Sequence, residues 1–230
     1  MIPEIPKAMN PFEEGQVLLI NKPMHWTSAD VVKKIRNQVH AKVGHAGTLD
    51  PLATGLLILC TGKFTKRISE YMSQEKEYTG TITLGSTTAS YDLETPPENN
   101  KDFSFVNGAV LNEVSKKFTG EIIQIPPIYS AIKKNGERSY DLARQGRAVT
   151  LEGRKVFIKA FEMNILQLPV VEFRVVCSTG TYIRSLANDI GETLGCGAHL
   201  SSLCRTRIGI YELNDALEPD GILKKIKTGS

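Results

Sequence analysis

The sequence predicts an α+β fold. Three observations carry that expectation: short runs of unbroken or alternating apolarity that suit strands, apolar stripes at helical spacing, and the irregular order in which the two follow one another. A doubly wound parallel sheet would need a steady strand-helix-strand rhythm, and the chain has none. With 230 residues, 41% hydrophobic and 23% charged, one domain can bury a sizeable core without a disulfide or metal staple.

After a loose amino-terminal lead, residues 16–20 (QVLLI) form the first predicted strand, and Asn21-Lys22-Pro23 turns the chain. A helix follows, capped by Thr27 or Ser28, with Val31, Val32, Ile35 and Val39 on one stripe. Residues 55–60 (GLLILC) are apolar almost throughout, as in a buried strand, and a helix through Ile68 and Met72 comes next. Over residues 78–84 the threonines at 79, 81 and 83 alternate with Tyr78, Gly80, Ile82 and Leu84, which puts those four on one face of a strand. Residues 86–105, with Pro96-Pro97 and Asn99-Asn100, form a polar loop or lobe. Asn107 opens a helix carrying Val110, Leu111, Val114 and Phe118, and Gly120 ends it. Residues 122–125 are extended until Pro126-Pro127. Residues 138–145 suit a short helix closed by Gly146, 149–166 and 171–177 suit strands, and 181–194 form the clearest late helix.

Composition excludes several classes. No apolar run approaches the ~20 residues of a membrane span, and the opening MIPEIPKAMNPFEEG lacks the pattern of a signal peptide, so the chain is expected in the cytoplasm. The cysteines at 60, 177, 196 and 204 make no CxxC pair; Cys196, His199 and Cys204 would need a fourth ligand from elsewhere to hold zinc. HExxH and GxSxG signatures are missing. Gly62-Lys63 is followed by Phe64, where a phosphate-binding loop needs Ser or Thr, and Gly195-Cys196-Gly197 has Leu200 in place of the third glycine of a dinucleotide fingerprint. No cofactor is expected. Net charge is only +3, but residues 133–159 carry a local +5 and residues 91–113 a local −4, an imbalance that suits a basic face turned toward phosphates.

One loop stands out. GHAGTLDPLATG, residues 44–55, sets a single carboxylate between three glycines and a proline. Pro51 restricts Asp50 to extended backbone while the glycines allow tight bends. Asp-Pro and Gly are also ordinary turn punctuation, so the loop alone does not decide its role. Arg184 falls in the first turn of the predicted helix 181–194, where a cation opposes the helix dipole; an anion beside it would offset that cost, and Asp50 is the candidate.

These residues resemble a known family. NKPMHWTS, GHAGTLDPLATGLL, KEYTGTITLG, PPIYSAIKKNGERSYDLAR and STGTYIRSLANDIG stand in the order and spacing of the bacterial tRNA pseudouridine synthase family TruB. The resemblance implies a pseudouridine synthase fold, with a central mixed, mostly antiparallel sheet flanked by helices and loops. It implies that Asp50 is the catalytic aspartate, Tyr78 the active-site tyrosine, Arg184 the arginine paired with the aspartate and Leu203 the apolar residue closing the pocket. His45 and Tyr182 match residues that meet the RNA or target base, and Lys22 and Lys66 match basic positions near the site. His25 and Ala46 depart from the usual Gly and Thr. The resemblance further implies one catalytic domain over residues 1–230 without the PUA domain of many relatives, leaving the basic 133–159 segment to grip RNA.

The implied activity is isomerisation of uridine 55 in the T loop of tRNA by a monomer needing no guide RNA, protein partner, membrane or metal. The N1–C1′ bond breaks, the uracil turns and C5 takes the sugar, so no atoms or electrons are lost and no cofactor is required. The target base must be flipped out and stacked on a ring such as Tyr78. Attack at C1′, attack at C6 and a glycal-like route all fit the sequence. The alternative is a tRNA-binding folding helper whose catalysis is incidental; a third possibility is modification of ribosomal RNA.

Overall fold

A computed structural model describes residues 10–130, 133–134, 137–138 and 151–228. The chain divides into two compact units, Met1–Gln74 with Arg205–Ser230, and Glu75–Cys204.

In the first unit a short helix α1 (Pro11–Glu14) leads into β1 (Val17–Lys22), α2 (Ser28–Val39), β2 (Val43–His45) and β3 (Thr54–Thr61). A 3₁₀ turn, Gly62–Arg67, runs into α3 (Ile68–Met72). β1 and β2 both pair antiparallel with β3, with Ile20 opposite Leu57 and His45 opposite Leu59. The unbroken apolarity of β3 has a direct cause, since successive side chains point to opposite faces and both faces are covered. Leu57 and Leu59 pack with Ile20 against Val31, Ile35 and Val39 of α2, while Leu56, Ile58 and Cys60 pack with Tyr71 and Ile208. α2 starts where expected because Thr27 accepts from the Asp30 amide while the Asp30 carboxylate accepts from the Thr27 amide, a reciprocal cap.

One detail differs from the sequence expectation here. Asn21 and Lys22 complete β1 instead of turning, because pairing with Leu56 and Gly55 continues the ladder. The helix expected through Ile68 and Met72 is α3, which buries Tyr71 and leaves Met72 45% exposed.

The second unit contains β4 (Lys76–Leu84), α4 (Gly108–Lys117), β5 (Gly120–Gln124), the small hairpin β6 (Lys133–Lys134) and β7 (Glu137–Arg138), β8 (Arg154–Gln167), β9 (Val170–Cys177) and α5 (Ile183–Leu194). β10 (Ala198–Ile208) begins here and ends in the first unit, which closes with β11 (Tyr211–Glu212), a 3₁₀ turn at Leu213–Asp215 and α6 (Pro219–Thr228). In the second unit the strands lie in the order β10-β4-β9-β8-β5, and β4–β9, β9–β8 and β8–β5 are all antiparallel. In the first unit the order is β1-β3-β10, with β2 on β3 and β11 on β10. Sheet and flanking helices make the fold α+β. The predicted alternation along β4 holds: Tyr78, Ile82 and Leu84 are buried on one face.

The expected polar loop at 86–105 is irregular but not simply solvated, because Ser86, Thr88, Ser90 and Asp92 are buried. Gly120 starts β5 rather than ending the helix, which stops at Lys117. β8 begins at Arg154, later than predicted. Arg138 lies in β7, and the rest of the helix expected at 138–145 lies outside the described residues, as do Tyr140 and much of the basic 133–159 segment. Cys60, Cys177 and Cys196 are buried and Cys204 is half-buried, all as free thiols. Among the described residues no helix is long and apolar enough to cross a membrane, and no group of three His, Cys, Asp or Glu is placed to hold a metal ion.

Candidate active site

In the first unit the chain between β2 and β3 presents Asp50 on a loop bonded down along its length. The Ala46 amide donates to Ile58 O (2.9 Å), the Leu49 amide to Ser28 Oγ (2.9 Å), and the Ala53 amide to Asp50 O (3.1 Å). Pro51 O accepts from the His25 amide at 2.7 Å. Two fully or almost fully buried cations lie beneath the loop. Lys22 Nζ donates to the carbonyls of Pro23 (2.8 Å), Trp26 (2.6 Å) and Pro51 (3.4 Å). Burial pulls its pKa down to about 8 against the attraction of the Asp50 carboxylate, and the Arg205 guanidinium pulls it further the same way. Arg205 donates from Nε to Leu56 O (2.8 Å) and from Nη2 to Gly47 O (3.1 Å). His45, half-buried at the start of the loop, is held below the ordinary histidine range by burial and then by Arg205, so neutral imidazole is favoured; its Nδ1 is buried with no hydrogen-bond partner among the described residues. Lys66 is exposed in the basic 3₁₀ turn beside Lys63 and Arg67.

In the second unit β4 carries Tyr78, 9% exposed and opposite Val175 of β9. Leu203 lies half-buried on β10. Tyr182 and Arg184 open α5, but the polar STGT run does not cap it. Tyr182 is the cap residue and makes no side-chain cap bond of its own. Gln124, fully buried at the end of β5, supplies what is missing: its Oε1 accepts from the Tyr182 amide (2.7 Å) and its Nε2 donates to Tyr182 O (3.0 Å). One turn on, Ser185 Oγ donates to Ile125 O (2.8 Å). The Arg154 guanidinium stacks over the Tyr182 ring at 4.7 Å and donates to Gly180 O.

Arg184 is 4% exposed. Its Nη1 donates to Ser90 O (3.1 Å) and its Nε faces Asp92 Oδ2 at 3.7 Å. Asp92 is itself 5% exposed, and its Oδ1 accepts from the Glu94 amide. Sequence reasoning missed Asp92, Ser90, Gln124 and the role of Arg205. The available signal was the acidic bias of residues 91–113, which as bulk charge does not single out one buried carboxylate.

Within the first unit, a half-buried carboxylate on a fixed loop with a buried ammonium beside it is a group that can stabilise a cation-like sugar carbon. The family model described as TruB family pseudouridylate synthase (N terminal domain) matches residues 33–183, and the one described as tRNA pseudouridylate synthase B C-terminal domain matches residues 184–227. The chain belongs to the TruB family. TruB relatives named tRNA pseudouridine synthase B include that of Flavobacterium johnsoniae, 53% identical over 89% of this chain and 93% of the relative, and that of Phocaeicola vulgatus, 49% identical over 90% and 91%. Among solved structures, a chain in a Cbf5-Nop10-Gar1 complex is 30% identical with a TM-score of 0.72, covering 95% of this chain and 57% of that one. Another, in an H/ACA ribonucleoprotein bound to a substrate RNA containing 2′-deoxyuridine, is 28% identical with a TM-score of 0.69, covering 95% of this chain and 56% of that one. This TruB chain thus spans little more than half the length of those structural neighbours and nearly all of the length of the two named relatives.

Proposed function

We propose that the chain converts uridine to pseudouridine at position 55 in the T loop of tRNA, as one catalytic domain acting as a monomer in the cytoplasm without guide RNA or partner subunit. The observation that carries this reading is the Asp50 loop, which offers one carboxylate in fixed geometry with buried positive charge beneath it, in a chain of the TruB family. Asp50 is assigned the attack on the flipped nucleotide, Tyr78 the stacking on its base, and Arg184 the guanidinium counter-charge. His45, Tyr182, Leu203 and Lys66 face the substrate. Lys22, fully buried, serves the site through the Pro51 carbonyl and its charge next to Asp50. The basic residues of 133–159 grip phosphates.

Breaking N1–C1′ and forming C5–C1′ leaves a proton on C5 that must be lost, and N1 takes one up, so the reaction is balanced without a co-reactant. Tritium at C5 is therefore released to water on turnover. A transcript labelled at C5 of its uridines should release tritium with wild-type protein and none above background with Asp50→Asn or when position 55 is cytidine. Wild-type release by Asp50→Asn refutes the assignment of the carboxylate; release from the cytidine-55 transcript refutes the assignment of the position.

A further inference from the structure

The glycines that bracket Asp50 face one and the same residue. Gly47, at φ +97°, has its carbonyl on Arg205 Nη2, and a Cβ built on it would lie 3.6 Å from Nη1. Gly55, at φ +102°, faces the Arg205 main chain so closely that a Cβ would collide with its N, C and O atoms. The Arg205 side chain also reaches Leu56 O, at the β3 end of the loop, so one planar guanidinium ties the carbonyls on either side of Asp50. Arg205 is 1% exposed, and a guanidinium taken out of water for two main-chain acceptors is a costly way to fill a core position. A lysine ammonium is a point charge on a flexible stem and cannot hold two carbonyls in a fixed fork.

We infer that Arg205 is a positioning residue for catalysis: its guanidinium sets the span of the 47–56 loop and so the placement of the Asp50 carboxylate, without touching the substrate. The inference rests on the reading of Asp50 as the reacting carboxylate. It accounts for the two glycines by what they must approach, and for a buried charge that ordinary packing would replace with an apolar side chain.

The test measures Arg205→Lys and Arg205→Ala beside wild type and Asp50→Asn, using tritium release over a range of tRNA concentrations together with thermal melting. Loop misplacement on the ångström scale costs about 10²-fold in kcat, so Arg205→Lys should lose about that much, with KM for tRNA changed less than about threefold. Arg205→Ala should regain turnover when guanidinium ion is added well below denaturing concentration. Wild-type kcat in Arg205→Lys, or an Arg205→Ala that melts like wild type yet is not rescued, overturns the positioning role. If Arg205→Ala does not accumulate folded, Gly47→Ala carries the test, since it strains the same end of the loop with the guanidinium intact. A lowered kcat at near-native melting temperature supports the inference, and an unchanged kcat overturns it. An Asp50→Asn that turns over normally sinks the catalytic reading itself, whereas an inactive Asp50→Asn beside a fully active Arg205→Lys sinks only the positioning role.

Discussion

Replacing Asp92 by Asn removes one charge from a pair of side chains that are only 7% and 5% exposed, and leaves the shape almost unchanged. The Arg184 guanidinium then stays buried and keeps its bond to Ser90 O, but loses the charge of Asp92. Removing one partner of a buried pair costs about 3–5 kcal/mol. The 3.7 Å separation between Nε and Oδ2 is longer than the 2.7–2.9 Å of a strong charge-assisted bond, and the Glu94 amide can still reach an amide oxygen at position 92, so the low end applies, about 3 kcal/mol. For a chain of this length that corresponds to a melting temperature lower by about 6–12 °C. Urea unfolding of wild type, Asp92→Asn, Arg184→Met and the double variant gives the cycle, with a coupling on the order of 1–3 kcal/mol expected because the two residues share one contact. An Asp92→Asn protein within about 1 kcal/mol of wild type, or strictly additive single variants, would refute the claim that this carboxylate holds Arg184.

Two more predictions follow from one half-buried and one fully buried polar group. Burial, reinforced by the Glu192 carboxylate, raises Asp189 from 3.8 to about 6. The folded state therefore binds that proton more tightly than the unfolded chain, so the stabilisation it brings is complete below about pH 4 and is lost as pH rises through about 6. Asp189→Asn should stabilise the protein at pH 7 by about 1–2 kcal/mol after allowance for partial exposure, and bring no such gain at pH 4; equal gains at both pH values in thermal melts would contradict this. Gln124→Leu leaves the Tyr182 amide without its acceptor and should cost about 1–3 kcal/mol. It should also speed amide exchange at the start of α5 relative to α4, and unchanged protection there would show that the clamp is dispensable.

Much of the scaffold was legible because local chemistry and tertiary context agree. Thr27 caps α2 and Val31, Ile35 and Val39 face the core, as the spacing requires. The Asp50 loop announced itself through Gly47, Pro51 and Gly55, whose backbone demands are local. What stayed hidden depends on contacts distant in sequence or on residues that break the usual rules of burial. Asp92 meets Arg184, and Gln124 meets Tyr182, across stretches no motif spacing spans. Lys22 and Arg205 read as surface cations by type, yet both are buried on main-chain carbonyls. β10 was not anticipated because its SSLCRTR run has neither continuous apolarity nor clean alternation.

The thiols differ sharply in access. Burial pushes Cys177 up to about 11 and raises Cys60 and Cys196 as well, so the three are poor nucleophiles at neutral pH, whereas Cys204 is partly open. A maleimide dye added to the native protein should therefore attach at one place, between Leu203 and Arg205 on β10, giving an optical reporter on that strand with no engineered cysteine.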